Sequence, residues 1–112
     1  MSNIGDDCID LESALKRLGG NMGLYQTLLK RFDSDTYLNA IDEALQSNDM
    51  QRAANETHAL KGVSANLSLQ KISLVSVELE RLITSGGDFS ACIADLKDAV
   101  AATKVSIAKI IG

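Results

Sequence analysis

The chain has 112 residues, a formal net charge of −4, no proline and no tryptophan. That length suits one domain with one modest core, the whole of residues 1–112, with order expected over about 9–110. The eleven Lys and Arg make no basic stripe, which argues against a nucleic-acid reader. No apolar run approaches the ~20 residues of a membrane span, so no membrane contact is expected. The polar, acidic start Met1-Ser2-Asn3-Ile4-Gly5-Asp6-Asp7 is no secretory signal, and a cytoplasmic location is expected.

Residues 1–8 lack helical periodicity and read as a mobile start with Cys8 in its frayed end. Asp10 is a candidate N-cap. Leu11, Ala14, Leu15 and Leu18 then give a short amphipathic helix that Gly19-Gly20 stops. Asn21 can cap a second helix with Leu24, Tyr25, Leu28, Leu29 and Phe32 on its apolar face. Asp33-Ser34-Asp35 breaks the register, and Leu38, Ile41 and Leu45 resume it. The pattern over 21–47 leaves open two helices or one kinked helix. Ser47-Asn48-Asp49 is a turn with a cap.

A helix from about Asp49 to Leu67 follows. A further helix spans about Leu69 to Thr84, with Ile72, Val75, Leu79 and Leu82 inward. Thr84-Ser85-Gly86-Gly87-Asp88 breaks the chain, and a last helix carries Phe89, Cys92, Leu96, Ala99, Val100, Thr103, Ile107 and Ile110 at helical spacing. No stretch alternates with period two. The fold class expected is all-α: an antiparallel up-down-up-down four-helix bundle with a short extra N-terminal helix at one end. Each helix has one apolar stripe, so the bundle can close as a monomer. Cys92 reads as a core residue. Cys8 and Cys92 form no metal-like cluster with His58, and a structural disulfide is not expected.

The stretch from Thr57 to Leu67 holds the only histidine. On a helical projection Ala53, Thr57, Leu60, Ser64 and Leu67 form the inward stripe, with Met50 and Val63 at its edges. His58 faces the other way, among Ala54, Lys61, Gly62 and Ala65. Solvated helix faces usually carry bulk and charge; this one is low. Gly62 in mid-helix costs roughly 1 kcal/mol relative to Ala, which suggests a close approach by something else. A lone histidine is commonly an ordinary surface residue and a lone helical glycine a packing accident. The helical pattern alone balances these readings evenly and names no chemistry.

His58-Ala59-Leu60-Lys61-Gly62 followed by Ser64-Ala65-Asn66-Leu67 resembles the signature of histidine phosphotransfer (HPt) domains. These modules carry a phosphoryl group between response-regulator receiver domains. Asp10-Leu11, Leu15, Leu18-Gly19-Gly20, Leu24-Tyr25, Leu28-Leu29, Phe32 and Leu79-Glu80 resemble other parts of the family's pattern, so the likeness spans roughly Ile9 to Ile110. The family usually has glycine ten residues after the histidine, often followed by alanine. Ser68 and Leu69 stand there instead, and Ser68 reads as the N-cap of the next helix.

The resemblance implies that His58 accepts the phosphoryl group and that Lys61 supplies charge to its oxygens. It implies that receiver domains are the partners and bring the magnesium ion and the catalytic aspartate. The chain has no nucleotide loop of its own, so it reads as a phosphocarrier without kinase activity and without a cofactor. Domains of this family frequently end hybrid sensor kinases, and such an origin is expected here.

An exposed imidazole is partly neutral at cytoplasmic pH and needs no triad. Phosphoryl transfer depends mainly on positioning and electrostatics. Ala54, Gly62 and Ala65 keep the surface low for a partner. Leu74 and Val77 fall outside the core stripe of their helix. They either pack half-buried on a neighbour, the commoner outcome, or extend that docking surface. Three other readings compete. One is a helical adaptor with an incidental histidine. Another is a sensor-kinase dimerisation hairpin, which would have an acidic residue after the histidine and a proline nearby. The last is an enzyme using His58 as a base, disfavoured by the absence of pocket-forming loops.

Overall fold

The computed structural model describes residues 7–112, which fold into six helices among those residues: α1 (Leu11–Arg17), α2 (Met22–Arg31), α3 (Ser34–Gln46), α4 (Met50–Asn66), α5 (Gln70–Ser85) and α6 (Ser90–Ile111). Among the described residues no strand occurs. The sequence spells out the starts. Asp10, Asn21, Asp33 and Asp49 each accept a backbone N–H three residues on and so open α1 to α4. Asp33 also settles the open question over 21–47: its carboxylate caps a new helix, so α2 and α3 are separate.

Helices α3 to α6 make the bundle. Successive helices pack as neighbours, and cross-links fix their antiparallel senses. Glu43 of α3 pairs with Arg52 of α4, and Glu80 of α5 meets His58 and Lys61 of α4. Lys97 and Lys104 of α6 reach back to Asp42 and Asp35 of α3, which closes the ring. Ile41, Ala44, Ala53, Leu60, Ile72, Leu79, Leu96 and Ala99 fill the interior. The polar members of the inward stripe are satisfied within the helix: Thr57 donates to the Ala53 carbonyl at 2.7 Å and Ser64 to that of Leu60 at 2.7 Å.

Two short helices, not one, lie at the end of the bundle where α4 finishes. Tyr25 of α2 is fully buried and donates to the Leu67 carbonyl at 2.6 Å. Burial, with help from the Asp10 charge, pushes its phenol up to about 12. Gln26 donates to the Ile110 carbonyl, and Arg17 of α1 donates to the carbonyls of Ala65 and Asn66 at 2.8 and 3.1 Å. The backbone N–H of Asp10 bonds the Ser68 carbonyl. The last turn of α4 is thereby tied to the N-terminal helices.

Several expectations are corrected. Ser68 is not an N-cap. It lies at φ 58° just past α4, its N–H bonds the Ala65 carbonyl, and the Leu69 N–H bonds the Ser64 carbonyl. That pair of bonds is the Schellman ending, in which a residue in the left-handed region terminates the helix. The serine therefore adopts a conformation that glycine takes without strain, and α5 starts at Gln70 with Leu69 at the N-cap position and no side-chain cap. Cys8 is buried, with Ile9, against the core instead of frayed. The first six residues of the expected mobile start lie outside the described residues. Leu24 is exposed, while Tyr25 and Leu29 are the buried residues of α2 and Met22, Leu28 and Phe32 pack half-buried beside them. On α5, Ser76 and Ile83 are buried while Val75 and Leu82 sit at the edge of the core. Cys8 and Cys92 are both buried and no disulfide joins them.

Candidate functional site

Helix α4 carries His58 in mid-span, two turns from either end, so its position is set by a regular backbone and a buried opposite face. The imidazole stands out from the bundle with 65% of its side chain exposed. Gly62 and Ala65 are exposed beside it. A Cβ built on Gly62 would meet no heavy atom within 4 Å, so packing does not demand a glycine there.

Helix α5 supplies the rest. Glu80 faces α4 with its side chain 24% exposed. Its carboxylate oxygens lie 3.1 and 3.3 Å from His58 Nδ1, and one of them accepts from Lys61 Nζ at 3.0 Å. The Lys61 hydrogen bond holds the Glu80 carboxyl below the usual range; partial burial opposes this, and the His58 hydrogen bond and both nearby charges add to it. Glu80 is therefore ionised at neutral pH. An ionised carboxylate only accepts hydrogen bonds, so Nδ1 carries the proton and the neutral ring keeps its lone pair on Nε2. One carboxylate thus selects the tautomer and orients the ring, while Lys61 brings a positive charge one turn from the imidazole.

Of the residues singled out in the sequence, His58, Lys61, Gly62, Ala65, Leu74 and Val77 share the surface made by α4 and α5. Leu74 and Val77 are 70% and 50% exposed, so they do not pack on a neighbour. They lead along α5 toward Glu80 at helical spacing. Ala54 is a correction. It is buried at 8% exposure, because it lies on the same flank of α4 as Lys61, the flank that α5 covers, and it contributes to packing instead of docking. The sequence reading missed what Glu80 does. Leu79-Glu80 entered only as part of the family resemblance, with no role attached, because the partners of Glu80 depend on the register between two helices.

The imidazole is open to solvent. Among the described residues no three His, Cys, Asp or Glu gather as metal ligands, and no helix is long and apolar enough to cross a membrane. The arrangement suits a reaction in which a second macromolecule brings the other half of the chemistry to an exposed nitrogen.

Neither a curated protein nor a solved structure matches the chain. A family model, that of the Hpt domain, matches residues 24–105, from the first turn of α2 to the last third of α6 and across the whole α4–α5 site. With the bundle, the exposed histidine and that match in hand, the chain belongs to the Hpt domain family, the phosphotransfer carriers of two-component signalling.

Proposed function

We propose that this domain accepts a phosphoryl group on Nε2 of His58 from a receiver aspartate and passes it to another receiver, within the relay of a hybrid sensor kinase. The observation that carries the reading is the Nδ1–Glu80 contact at 3.1 Å on a convex surface, which leaves Nε2 as the free nucleophile. Lys61 offsets charge on the phosphoryl oxygens. The low surface of Gly62 and Ala65 admits the partner's aspartate loop, and Leu74 and Val77 form the apolar ground on which the receiver rests. The magnesium ion and catalytic aspartate come from the receiver. The carrier works as a monomer, since the closed bundle leaves its working face on a single chain.

Incubation with phosphorylated receiver domains should place an acid-labile label on the chain. His58→Gln should lose all of it and keep its helicity, checked by circular dichroism. Label retained by that variant, or none on the parent with any receiver, would return the domain to a plain adaptor.

A further inference from the structure

The low surface beside His58 runs into a polar notch of about 270 Å³ where α1, the end of α4 and the start of α5 meet. Ala65 and Leu74 belong to both. Ser68 also lines the notch, with its Oγ buried and without a partner among the described residues. Two features of the notch favour negative charge. The first is Arg17 of α1, which is exposed and only partly engaged. Its Nη1 donates to the Ala65 and Asn66 carbonyls at 2.8 and 3.1 Å, while Nε and Nη2 have no hydrogen-bond partner and the guanidinium makes no ion pair among the described residues. Arg52 and Arg81, by contrast, are each spent on a glutamate. Nε and Nη2 lie side by side on the guanidinium and together match the two oxygens of a carboxylate.

The second feature is the first turn of α5, which lines the notch through Gln70 and Ser73. That helix has 16 residues and opens with no side-chain cap, so no side chain already answers the positive end of its dipole. Asp10 is the opposing charge in the lining. It stands two turns before Arg17 on α1, about 10 Å by helical rise, and its Oδ1 accepts from the Ser13 N–H. At that range solvent and salt screen it, whereas a carboxylate on the free edge of Arg17 would be in contact.

We propose that this notch is a specificity subsite for the receiver, in which an Asp or Glu at the edge of the receiver's docking face seats on Nε and Nη2 of Arg17. The inference rests on the phosphocarrier reading above and names a contact by which one receiver is told from another. The reach is short. Ala65 lies two turns, about 10 Å, from His58 along α4, and even a small interface covers about 500 Å² of each partner, a disc reaching about 13 Å from its centre. A charge at the rim of an interface sets encounter rate and partner choice, so Arg17 discriminates without touching the phosphoryl group.

Arg17→Gln tests this in a double-mutant cycle. The receiver is one that exchanges phosphoryl groups with the parent chain, and each exposed Asp or Glu of its docking face, the catalytic aspartates excepted, is changed to its amide in turn. Arg17→Gln should raise the half-saturating receiver concentration roughly three- to tenfold, the range of a charge-assisted contact at an interface rim. The maximal rate and phosphoramidate labelling of His58 should be unchanged. One receiver variant should show the same rise against the parent and no further rise against Arg17→Gln. Arg17→Lys, which keeps the charge and a donor for the α4 carbonyls, should couple to that same receiver acid more weakly. No rise, or a rise that adds to the effect of every receiver variant, overturns this inference alone; in the second case Arg17 acts only by holding the end of α4. A parent chain that phosphoramidate labels but that exchanges with no receiver overturns the relay reading, and the subsite with it.

Discussion

Two residues on α4 and just beyond it show opposite relations between local strain and use. Gly62 has open space on its Cβ side and sits on the exposed face beside His58. Gly62→Ala should therefore raise stability by roughly 1 kcal/mol through helix propensity. Gly62→Gln should also fold but hold a partner's aspartate away, and a displacement near 1 Å can cost about a hundredfold in rate. Phosphoramidate labelling of His58 should continue in that variant while receiver transfer drops. A lower melting temperature with normal transfer would assign Gly62 to packing instead. Ser68 is the reverse case, a side chain held where glycine fits. Its φ is 58° and its Oγ is buried without a hydrogen-bond partner. Ser68→Gly relieves a left-handed conformation worth about 1–2 kcal/mol, less the added chain entropy. A net gain near 1 kcal/mol in urea unfolding is expected, with phosphotransfer unchanged.

At the scale of elements, α4 owes its fixed position to residues distant in sequence. Tyr25 and Arg17 satisfy the carbonyls that a helix end leaves open. Tyr25→Phe would leave the Leu67 carbonyl buried and unpaired, at a cost of roughly 1–3 kcal/mol. The folded state holds the Tyr25 proton more tightly than the unfolded chain, with a phenol pKa of about 12 against 10.0. Its contribution is complete below pH 10 and is lost as the pH rises toward 12. Part of the alkaline loss of stability of the parent should therefore vanish in Tyr25→Phe, measured by denaturant midpoints across that range. The starts of α1, α2 and α4 were legible because each is written locally as an Asp or Asn cap, whereas α5 and α6 open without a side-chain cap. The Ser68 ending was not, since nothing in the sequence marks a serine for a left-handed φ. Ala54 and Glu80 were misjudged or passed over for a related reason: a single helix projection shows which way a side chain leaves its own axis, not which flank the next helix covers.

For the molecule as a whole, the antiparallel bundle followed from apolar periodicity and short connections, and His58 with Lys61, Gly62 and Ala65 from one helix face. What the sequence did not show was how the ends are held. The segment from Asp7 through α1 lies before the region matched by the Hpt family model, yet it buries Cys8, Ile9 and Ala14 and supplies Arg17 and the Asp10–Ser68 bond. Removal of residues 1–20 should lower stability by several kcal/mol, because three buried apolar residues and the cover over the α4 terminus go together. A chain lacking those residues with an unchanged unfolding midpoint would show that α2 to α6 hold α4 without help.

The surface around His58 is also notable for how little it offers to grip. Gly62 and Ala65 contribute almost no contact area, and the larger side chains, Leu74 and Val77, stand to one side. A partner seated there buries a modest patch and orders almost nothing, since the regular helix beneath is already rigid. Small interfaces of this kind favour transient encounters, and differences in affinity appear chiefly as differences in escape rate. On the relay function proposed above, a courier that must leave one receiver before visiting the next is served by a short residence time, and the bareness of this helix face would be a physical means of keeping visits brief.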